Sequence, residues 1–515
     1  MKKRHLLGIG LMLLFSTQVK AQDPVIENII KEAEENSQLR YLGHELLDGI
    51  GPRLVGSPQM QKAHDWAVAQ FEAWGIEGKN EQWGEWRGWE RGITHIDMVE
   101  PWVRSLSGTQ LAWSPPSPEG GAMGEVIAIP KLEEGQSFED WLPSVKGKYV
   151  MISTPQVTGR PDYNWEEWST EESFSKMKEE RDEMQAEWEL RISQTGHGRR
   201  ELPAILEEAG ALGVITSYWS RGFGANKIFS AYTKTVPTID LSLEDYGLLF
   251  RLAENGKKPK IHLNAQSKET GVQPTFNTFG EIRGTEKPEE YVMLSAHFDS
   301  WDGATGATDN GTGVITMMEV MRILKKVYPN PKRTILVGLW GSEEQGLNGS
   351  RAFVEDHPET LDKIQVLFNQ DNGTGRIAQL SGQGFVDSYE YLGRWMAEVP
   401  RPITREIETN FPGNPGGGGS DYASFVAAGV PAFSLSSLSW SYYNYTWHTN
   451  LDTYDKIVFE EVKNNAIMTA ILVYMACEEP ELVSRKRRVP MNQRGGQPAF
   501  WPVPRSPNRK GMIDN

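Results

Sequence analysis

Three apolar runs read YVMLSAHFDSWDGATGATDNGTG (residues 291–313), RTILVGLWGSEEQGLNGS (333–350) and IQVLFNQDNGTG (364–375), and each ends in a polar, Gly-rich turn. Short apolar runs of this kind are typical of buried parallel strands whose two faces are covered by helices. The sequence therefore predicts a parallel sheet in the second half of the chain.

Polar residues follow each run at the point where the predicted strand ends. Ligands of open α/β sheets collect outside the carboxyl ends of the strands, so we expect these side chains to converge on one crevice. They are His297, Asp299, Asp309, Glu343, Glu344 and Asp371. This composition predicts a metal site.

Strands and helices alternate along this region. The predicted order is strand Tyr291–Ala296, helix Gly311–Val327, strand Arg333–Trp340, helix Leu347–Asp356 and strand Ile364–Asn369, followed by helices Val386–Val399, Asp421–Ala428 and Phe459–Ala476. The fold class that this order predicts is α/β, a doubly wound mixed sheet sandwiched by helices.

The residue types suit metal-assisted hydrolysis. His297 and Asp299 lie two apart at a strand end, so the imidazole can bind a metal while the carboxylate orients it. Asp309 lies in a Gly-rich loop that can fold back over the site. Glu343 and Glu344 would repel each other, and a metal centre resolves this by using one as a ligand and the other for proton transfer. A solvated helix start is the simpler interpretation of this pair, but the other clusters at the same edge argue against it.

A second imidazole is found near the end of the predicted sheet. Among nine histidines, His448 lies in the polar loop WHTNLDT just before the last predicted helix. The chain has one cysteine, Cys477, and oxygen and nitrogen ligands without sulfur suit zinc, with manganese and cobalt also compatible.

The N-terminus and the overall charge bear on location and partners. Met1–Ala21 has a basic start, an apolar core and a small residue at its end, which predicts a secretory signal peptide and export to a periplasmic or extracellular space. No later stretch is apolar enough to predict a membrane span. The formal charge of −16 argues against nucleic acid as a partner.

A different unit is predicted between residues 111 and 272. LPAILEEAGALGVIT (202–216) and VPTIDLSLEDYGLLFRLAENG (236–256) resemble the protease-associated insert domain, and a charged helix is expected at about 164–192. The predicted division is therefore a catalytic domain from residues 22–110 and 273–482, the β-rich insert from 111–272, and a Pro-rich basic tail from 483–515.

The motifs together resemble the zinc aminopeptidase and glutamate carboxypeptidase family of co-catalytic metallopeptidases. They are H-x-D at His297, an Asp followed by Asn at Asp309, WGSEEQGLNGS from Trp340, N-x-D-N-G at Asn369 and W-H-T-x-x-D-T at Trp447. Within that family the pattern is similar to a subfamily that cleaves dipeptides. The resemblance implies a zinc exopeptidase fold, a short peptide as substrate and two zinc ions per chain, and a homodimer is kept among the expectations.

Site roles also follow from the resemblance. His297 and Asp371 would hold one metal, Glu344 and His448 the other, and Asp309 would bridge both. Glu343 would be the general base that acts on a metal-bridging water, with Asp299 beside His297 as the second catalytic residue. The resemblance also implies a cis peptide bond between Asp309 and Asn310.

One position departs from the family pattern. Many members carry a tyrosine just before the last histidine to stabilise the oxyanion, and here that position is Trp447. The candidate replacements are Tyr442, Tyr443 and Tyr445.

Two other functions share the motifs. A glutaminyl cyclase uses a similar fold with a single zinc, and a non-catalytic binding relative would have lost ligands or the base. The number of metal ions per chain distinguishes a peptidase from a cyclase. Release of free amino acids from peptides distinguishes a peptidase from both the cyclase and the non-catalytic relative.

Overall fold

The computed structural model describes residues 23–372, 374–489 and 500–513. The predicted signal peptide, Met1–Ala21, lies outside the described residues, as do residues 490–499 of the predicted tail. In the described part no helix is both long and apolar enough to cross a membrane.

Fifteen strands form the sheet within the described residues. They are β1 (Glu77–Glu100), β2 (Arg104–Ser105), β3 (Gly108–Gln110), β4 (Ala122–Ala128), β5 (Lys148–Met151), β6 (Gly213–Thr216), β7 (Thr238–Leu241), β8 (Lys260–Ile282), β9 (Lys287–His297), β10 (Arg333–Trp340), β11 (Ile364–Asn369), β12 (Ile377–Ser381), β13 (Glu408–Asn410), β14 (Ala432–Ser437) and β15 (Lys510–Gly511).

Helices cover the sheet. The α-helices are α1 (Pro24–Glu35), α2 (Leu39–Gly43), α3 (Pro58–Ala73), α4 (Phe138–Trp141), α5 (Asp162–Trp168), α6 (Glu171–Gln194), α7 (Leu202–Glu208), α8 (Leu243–Glu254), α9 (Thr312–Val327), α10 (Asn348–Asp356), α11 (Pro358–Leu361), α12 (Ser388–Met396), α13 (Arg401–Thr404), α14 (Tyr422–Ala427), α15 (Tyr442–Tyr445) and α16 (Phe459–Glu478). Shorter 3₁₀ and π-helical turns span His44–Ile50, Leu142–Val145, Ala307–Gly311 and Tyr454–Lys456.

Four strands in the second half of the chain form a parallel core. β14, β11, β9 and β10 lie side by side and run parallel, whereas β8 is antiparallel to β10 and β12 is antiparallel to β14. All residues of β10 and β11 are buried, because helices such as α9 and α16 cover this part of the sheet. The prediction of a mixed α/β sheet flanked by helices is confirmed, and the predicted bounds of β10 and β11 match the observed ones.

Two long strands connect the predicted units. β1 and β8 pair antiparallel along most of their length, and the other edge of β8 pairs with β4 near its start and with β10 near its end. Hydrophobic residues form one large cluster around the parallel core and a second one around β4 to β7. The division of the chain at residues 110–111 and 272–273 stays a prediction.

Two sequence interpretations were wrong at the level of elements. The sequence from Gln22 to about Glu100 has the pattern of helices followed by an irregular stretch, but the region ends in the 24-residue strand β1. Register shifts at Gln82/Gly84, Gly88/Trp89 and Arg91/Thr94 interrupt the two-residue alternation by which a strand is recognised. The single helix expected at about 164–192 is two helices, α5 and α6. Thr170 begins the second one, because its side chain accepts a hydrogen bond from the Ser173 N–H at 3.2 Å.

The described part of the predicted tail packs against α14 and β1. Trp501 donates its indole N–H to the Val426 carbonyl at 2.9 Å, and β15 pairs with β1. Gly84 allows the approach of this segment, since a Cβ there would lie 2.7 Å from the Arg509 carbonyl oxygen.

Candidate metal centre

The predicted site residues lie at the carboxyl ends of three adjacent parallel strands. His297 is the last residue of β9, which lies between β10 and β11. Glu343 and Glu344 follow β10, and Asp371 follows β11. The sheet therefore brings to one edge side chains that are far apart in the sequence.

Two groups of metal-type ligands share one carboxylate. The His297 group consists of His297, Asp309 and Asp371, and the His448 group consists of Asp309, Glu344 and His448. In each group the ligand atoms all lie within 4.8 Å of one another.

The two oxygens of Asp309 face different groups. His297 Nε2 lies 3.3 Å from Asp309 Oδ1 and 3.2 Å from Asp371 Oδ1. His448 Nε2 lies 3.4 Å from Asp309 Oδ2 and 2.9 Å from Glu344 Oε2. Asp309 is thus placed between the two imidazoles, as a bridging ligand would be.

Asp452 and Arg53 hold the loop that carries Asp309. The Asp452 carboxylate accepts the backbone N–H groups of Thr308 at 2.8 Å and Asp309 at 3.0 Å. The fully buried Arg53 donates to the carbonyl oxygens of Phe298, Thr305 and Gly306 at 2.7, 2.8 and 3.0 Å. Sequence reasoning missed both residues, although Asp452 stands in the WHTNLDT motif.

The peptide bond between Asp309 and Asn310 is cis, which confirms the expectation from the resemblance. The Asn310 side chain donates to the carbonyl oxygen of Gln370 at 2.9 Å, next to Asp371. The loop and the end of β11 are therefore joined directly.

Asp299 supports the glutamate pair. Its carboxylate accepts the backbone N–H of Glu343 at 3.0 Å and that of Glu344 at 3.3 Å. His297 Nδ1 lies 3.0 Å from the Asp299 carbonyl oxygen and 3.7 Å from its carboxylate. The main chain of Asp299 thus contacts the imidazole more closely than its side chain does.

The electrostatics of the cluster fit a cation. Burial raises the pKa of Glu343 and of Glu344 well above the usual range, and neighbouring carboxylates add to the effect. Asp309 Oδ2, Glu344 Oε1 and His448 Nδ1 are buried without a hydrogen-bond partner among the described residues. Buried carboxylates this close together are stable only when their charge is compensated, and metal ions provide that compensation.

Tyr442 is the tyrosine of its loop that lies beside the cluster. Burial acts to raise the pKa of Asp309, but His297 and His448 outweigh it and lower the pKa, and the Tyr442 hydroxyl adds to the lowering. Tyr443 is 60% exposed, and the Tyr445 hydroxyl lies 3.3 Å from that of Tyr163. Of the three candidate replacements, Tyr442 is thus the one in position.

The predicted insert holds the loop of His448. The Ile228 N–H donates to the His448 carbonyl at 2.8 Å, and the backbone of Asn226 is bonded to both the side chain and the N–H of Asn450 at 2.8 and 3.0 Å. His448 has a left-handed backbone (φ 58°), and the ring of Trp447 stacks on it with 3.9 Å between centroids. No pattern in the sequence indicated that Asn226 and Ile228 contact the His448 loop, since the two segments are more than two hundred residues apart.

Comparisons with known proteins agree with this geometry. The pattern of peptidase family M28 matches residues 277–473. Carboxypeptidase Q of Mus musculus is 26% identical over 443 residues, which cover 85% of this chain and 86% of the relative. Carboxypeptidase Q of Homo sapiens is 25% identical over 450 residues, with 85% of each chain covered.

Two solved structures share the fold. A peptidase M28 precursor from Shewanella amazonensis SB2B has a TM-score of 0.65 at 24% identity and covers 91% of this chain and 98% of its own. BSAP, a zinc aminopeptidase from Bacillus subtilis, has a TM-score of 0.54 at 19% identity and covers 88% and 97%. At these identities the likeness supports the fold.

The family match covers the strands that carry the ligands, and the relatives match across most of the chain. Both agree with the resemblance inferred from the motifs. Residues 277–473 therefore match peptidase family M28, and together with the similarity to the carboxypeptidase Q relatives this identifies the chain as a metallopeptidase.

Proposed function

We propose that this protein is an exported exopeptidase that uses two zinc ions per chain to hydrolyse dipeptides or short peptides, as a carboxypeptidase Q-like dipeptidase or an aminopeptidase. The observation that carries the proposal is the shared carboxylate of Asp309, whose two oxygens face two separate ligand groups. A site for a single metal ion would need only one of these two groups of ligands.

The residues of the two groups fit zinc. His297 and Asp371 would hold one ion, Glu344 and His448 the other, and Asp309 both, which gives each ion nitrogen and oxygen ligands without sulfur. Zinc bound there would act as a Lewis acid that polarises the peptide carbonyl and makes water a better nucleophile at neutral pH.

Glu343 is the proposed general base. Its backbone is fixed by Asp299, and its half-buried side chain lies within electrostatic reach of His297 and Asp371. In the reaction it takes the proton of the attacking water and passes it to the nitrogen of the leaving amine. The buried hydroxyl of Tyr442 is the proposed donor to the oxyanion, in place of the tyrosine that Trp447 replaces.

Metal stoichiometry and product analysis test the proposal. We expect two zinc ions per chain, free amino acids from unblocked dipeptides, loss of activity with a chelator and recovery with zinc. One ion per chain with cyclisation of N-terminal glutamine would favour the glutaminyl cyclase instead. Export is tested by N-terminal sequencing of the protein recovered outside the cytoplasm, which should begin at Gln22.

A further inference from the structure

The predicted insert contains a cavity that is separate from the candidate metal centre. Its volume is about 570 Å³, and pockets of roughly 300–1,000 Å³ are typical of small-molecule sites. The cavity is lined mainly by helices α5 and α6 and by the segments that follow β5 and β6. None of the five candidate metal ligands lines it. The cavity is thus a feature of the insert itself.

The cavity lies where a parallel sheet binds its ligands. β4, β5, β6 and β7 lie side by side and run parallel. The cavity is found at the carboxyl ends of the two inner strands, where Ser153 follows β5 and Ser217 follows β6. Ligands of open α/β sheets collect outside this end of the strands. In the insert the cavity therefore has the position that the candidate metal centre has in the parallel core.

The helix α6 presents a polar face to this cavity. Four of its residues line the cavity at positions i, i+3, i+4 and i+7, which share one face of a helix. They are Lys178, Arg181, Asp182 and Gln185. A helix that packs on a sheet normally carries apolar residues at such inward positions. Farther along α6 the packing is close, since Trp188 is buried and donates its indole N–H to the Ile152 carbonyl at 3.2 Å.

Two buried hydrogen-bond donors of the cavity have no acceptor within the described residues. They are Arg181 Nε and Trp219 Nε1. The terminal nitrogens of Arg181 donate to the Asp162 carboxylate at 2.5 Å and to the Arg160 carbonyl at 2.7 Å, and the guanidinium carbon lies 4.8 Å from the Trp219 ring centroid. Because a buried donor without an acceptor destabilises the fold, we expect an acceptor oxygen from outside the chain.

The charges of the cavity favour an anionic ligand. The lining has four cationic side chains and two carboxylates, although the whole chain has a formal charge of −16. The cations are Lys178, Arg181, Arg199 and Arg221. Asp162 pairs with Arg181 and Arg221. In the part of the chain that the structure describes, Lys178 has no ion pair, and its ammonium lies 3.7 Å from the Phe174 ring centroid. Positive charge is therefore available to a ligand.

We propose that this cavity binds a phosphate or sulfate group, either as the free ion or as the anionic group of a larger molecule. Arg181 Nε and Trp219 Nε1 donate to its oxygens, and the ammonium of Lys178 offsets its charge. A tetrahedral oxyanion suits donors that come from two different elements, because its oxygens point in several directions. The site contributes nothing to the metal centre, so the inference does not depend on the proposed function.

Calorimetry of the zinc-loaded enzyme with inorganic phosphate, phenyl phosphate and phenol tests the site. We expect at least one of the two phosphate compounds to bind with a Kd below ~1 mM, and phenol not to bind in this range. Tighter binding of phenyl phosphate than of inorganic phosphate identifies a site for a phosphate ester. Equal or tighter binding of inorganic phosphate identifies a site for the free ion.

Substitutions locate the bound anion. Trp219→Phe keeps an aromatic ring but removes the indole N–H, so Kd should rise by roughly 10-fold, the low end for a hydrogen bond to a charged group. Lys178→Met removes one positive charge and should raise Kd by roughly 3- to 10-fold. The matched control is Lys176→Met, which removes a lysine of the same helix that is 73% exposed and does not line the cavity. Its Kd should be that of the parent enzyme.

Two results would overturn the inference. One is the absence of binding by both phosphate compounds, and the other is a Kd that is unchanged in both Trp219→Phe and Lys178→Met. The second result would mean that phosphate binds elsewhere, for example at the zinc ions, since neither residue belongs to the two ligand groups. Lys178 is exposed, so Lys178→Met decides the matter if circular dichroism shows that Trp219→Phe is not folded. Anion binding by a protein that hydrolyses no peptide would contradict the proposed function and leave the inference standing.

Discussion

The His297 group and the His448 group share Asp309 but differ in what holds their other ligands. His297 and Asp371 are tied to neighbouring strands of the parallel core, where the Gln370 N–H donates to the Ser295 carbonyl at 2.9 Å. His448 lies in a loop whose backbone is bonded to Ile228 of the predicted insert. One half of the candidate centre is thus fixed by the sheet, and the other depends on a contact with the predicted insert for the position of His448.

Asp309→Ala removes the residue common to both groups, so it should have the largest effect. Because each ion loses a direct ligand, we expect loss of both metals, a larger effect than the ~10- to 100-fold affinity loss seen when a supporting group is removed. Elemental analysis after gel filtration measures the metal content. The matched control is Asp455→Ala, which removes a carboxylate that is 74% exposed. If Asp309→Ala retained two metals per chain, Asp309 would be excluded as the bridging ligand.

Glu343→Gln should separate metal binding from turnover. Since Glu343 belongs to neither group, both metals should remain while kcat falls by ~10²- to 10⁴-fold through loss of proton transfer. Steady-state kinetics with metal analysis of the same sample checks this. Glu359→Gln, on an exposed side chain, should behave as the parent enzyme. Near-normal kcat in Glu343→Gln would remove Glu343 from its assigned role.

Asn450→Ala tests the contact that distinguishes the two groups. The substitution removes the hydrogen bond from the Asn226 N–H to the Asn450 side-chain oxygen, so the His448 loop is held less firmly. We expect the affinity for one of two zinc ions to fall by roughly 10-fold, the low end for a supporting contact, with the other unchanged. Zinc titration calorimetry resolves the two sites, and exposed Asn255→Ala is the control. An equal loss at both sites would contradict the comparison.

Tyr163→Phe should have the smallest effect. It removes the hydroxyl contact of 3.3 Å between α5 and Tyr445, and Tyr163 is 44% exposed. Because water replaces the lost partner, the free energy of unfolding should fall by about 0.5 kcal/mol at most, with unchanged metal content. Chemical denaturation and metal analysis measure the two quantities. Loss of a metal would mean that α5, too, holds the His448 loop.

The parts of the site that the sequence predicted are those with local signals. Buried parallel strands are continuous apolar runs, so the ends of β10 and β11, and the ligands after them, could be read from the sequence. His448 was found from its polar loop and the motif around it. The structure brings all five predicted ligands together, with Glu343 and Asp299 beside them.

The parts that were missed depend on contacts between distant segments. Arg53 supports the Asp309 loop from a position about 250 residues earlier, and Ile228 holds the His448 loop across a similar separation. Neither residue has a neighbour in the sequence that indicates its role. The strand β1 was missed for another reason, since its register shifts remove the alternation on which recognition depends.

From the pairing of β1 with β8 we expect a particular order of assembly. Glu77 faces Glu281 and Glu100 faces Lys260, so some 160 residues separate even the nearest ends of the two strands. Closing so long a loop costs conformational entropy, and this loss comes before the contacts of the parallel sheet can compensate for it. We therefore expect folding of the intervening segment to bring Glu100 and Lys260 together first, and the remaining pairs to form one after another towards β10. On this view the segment between β1 and β8 first closes the chain and afterwards, through Ile228, holds the loop of the candidate ligand His448.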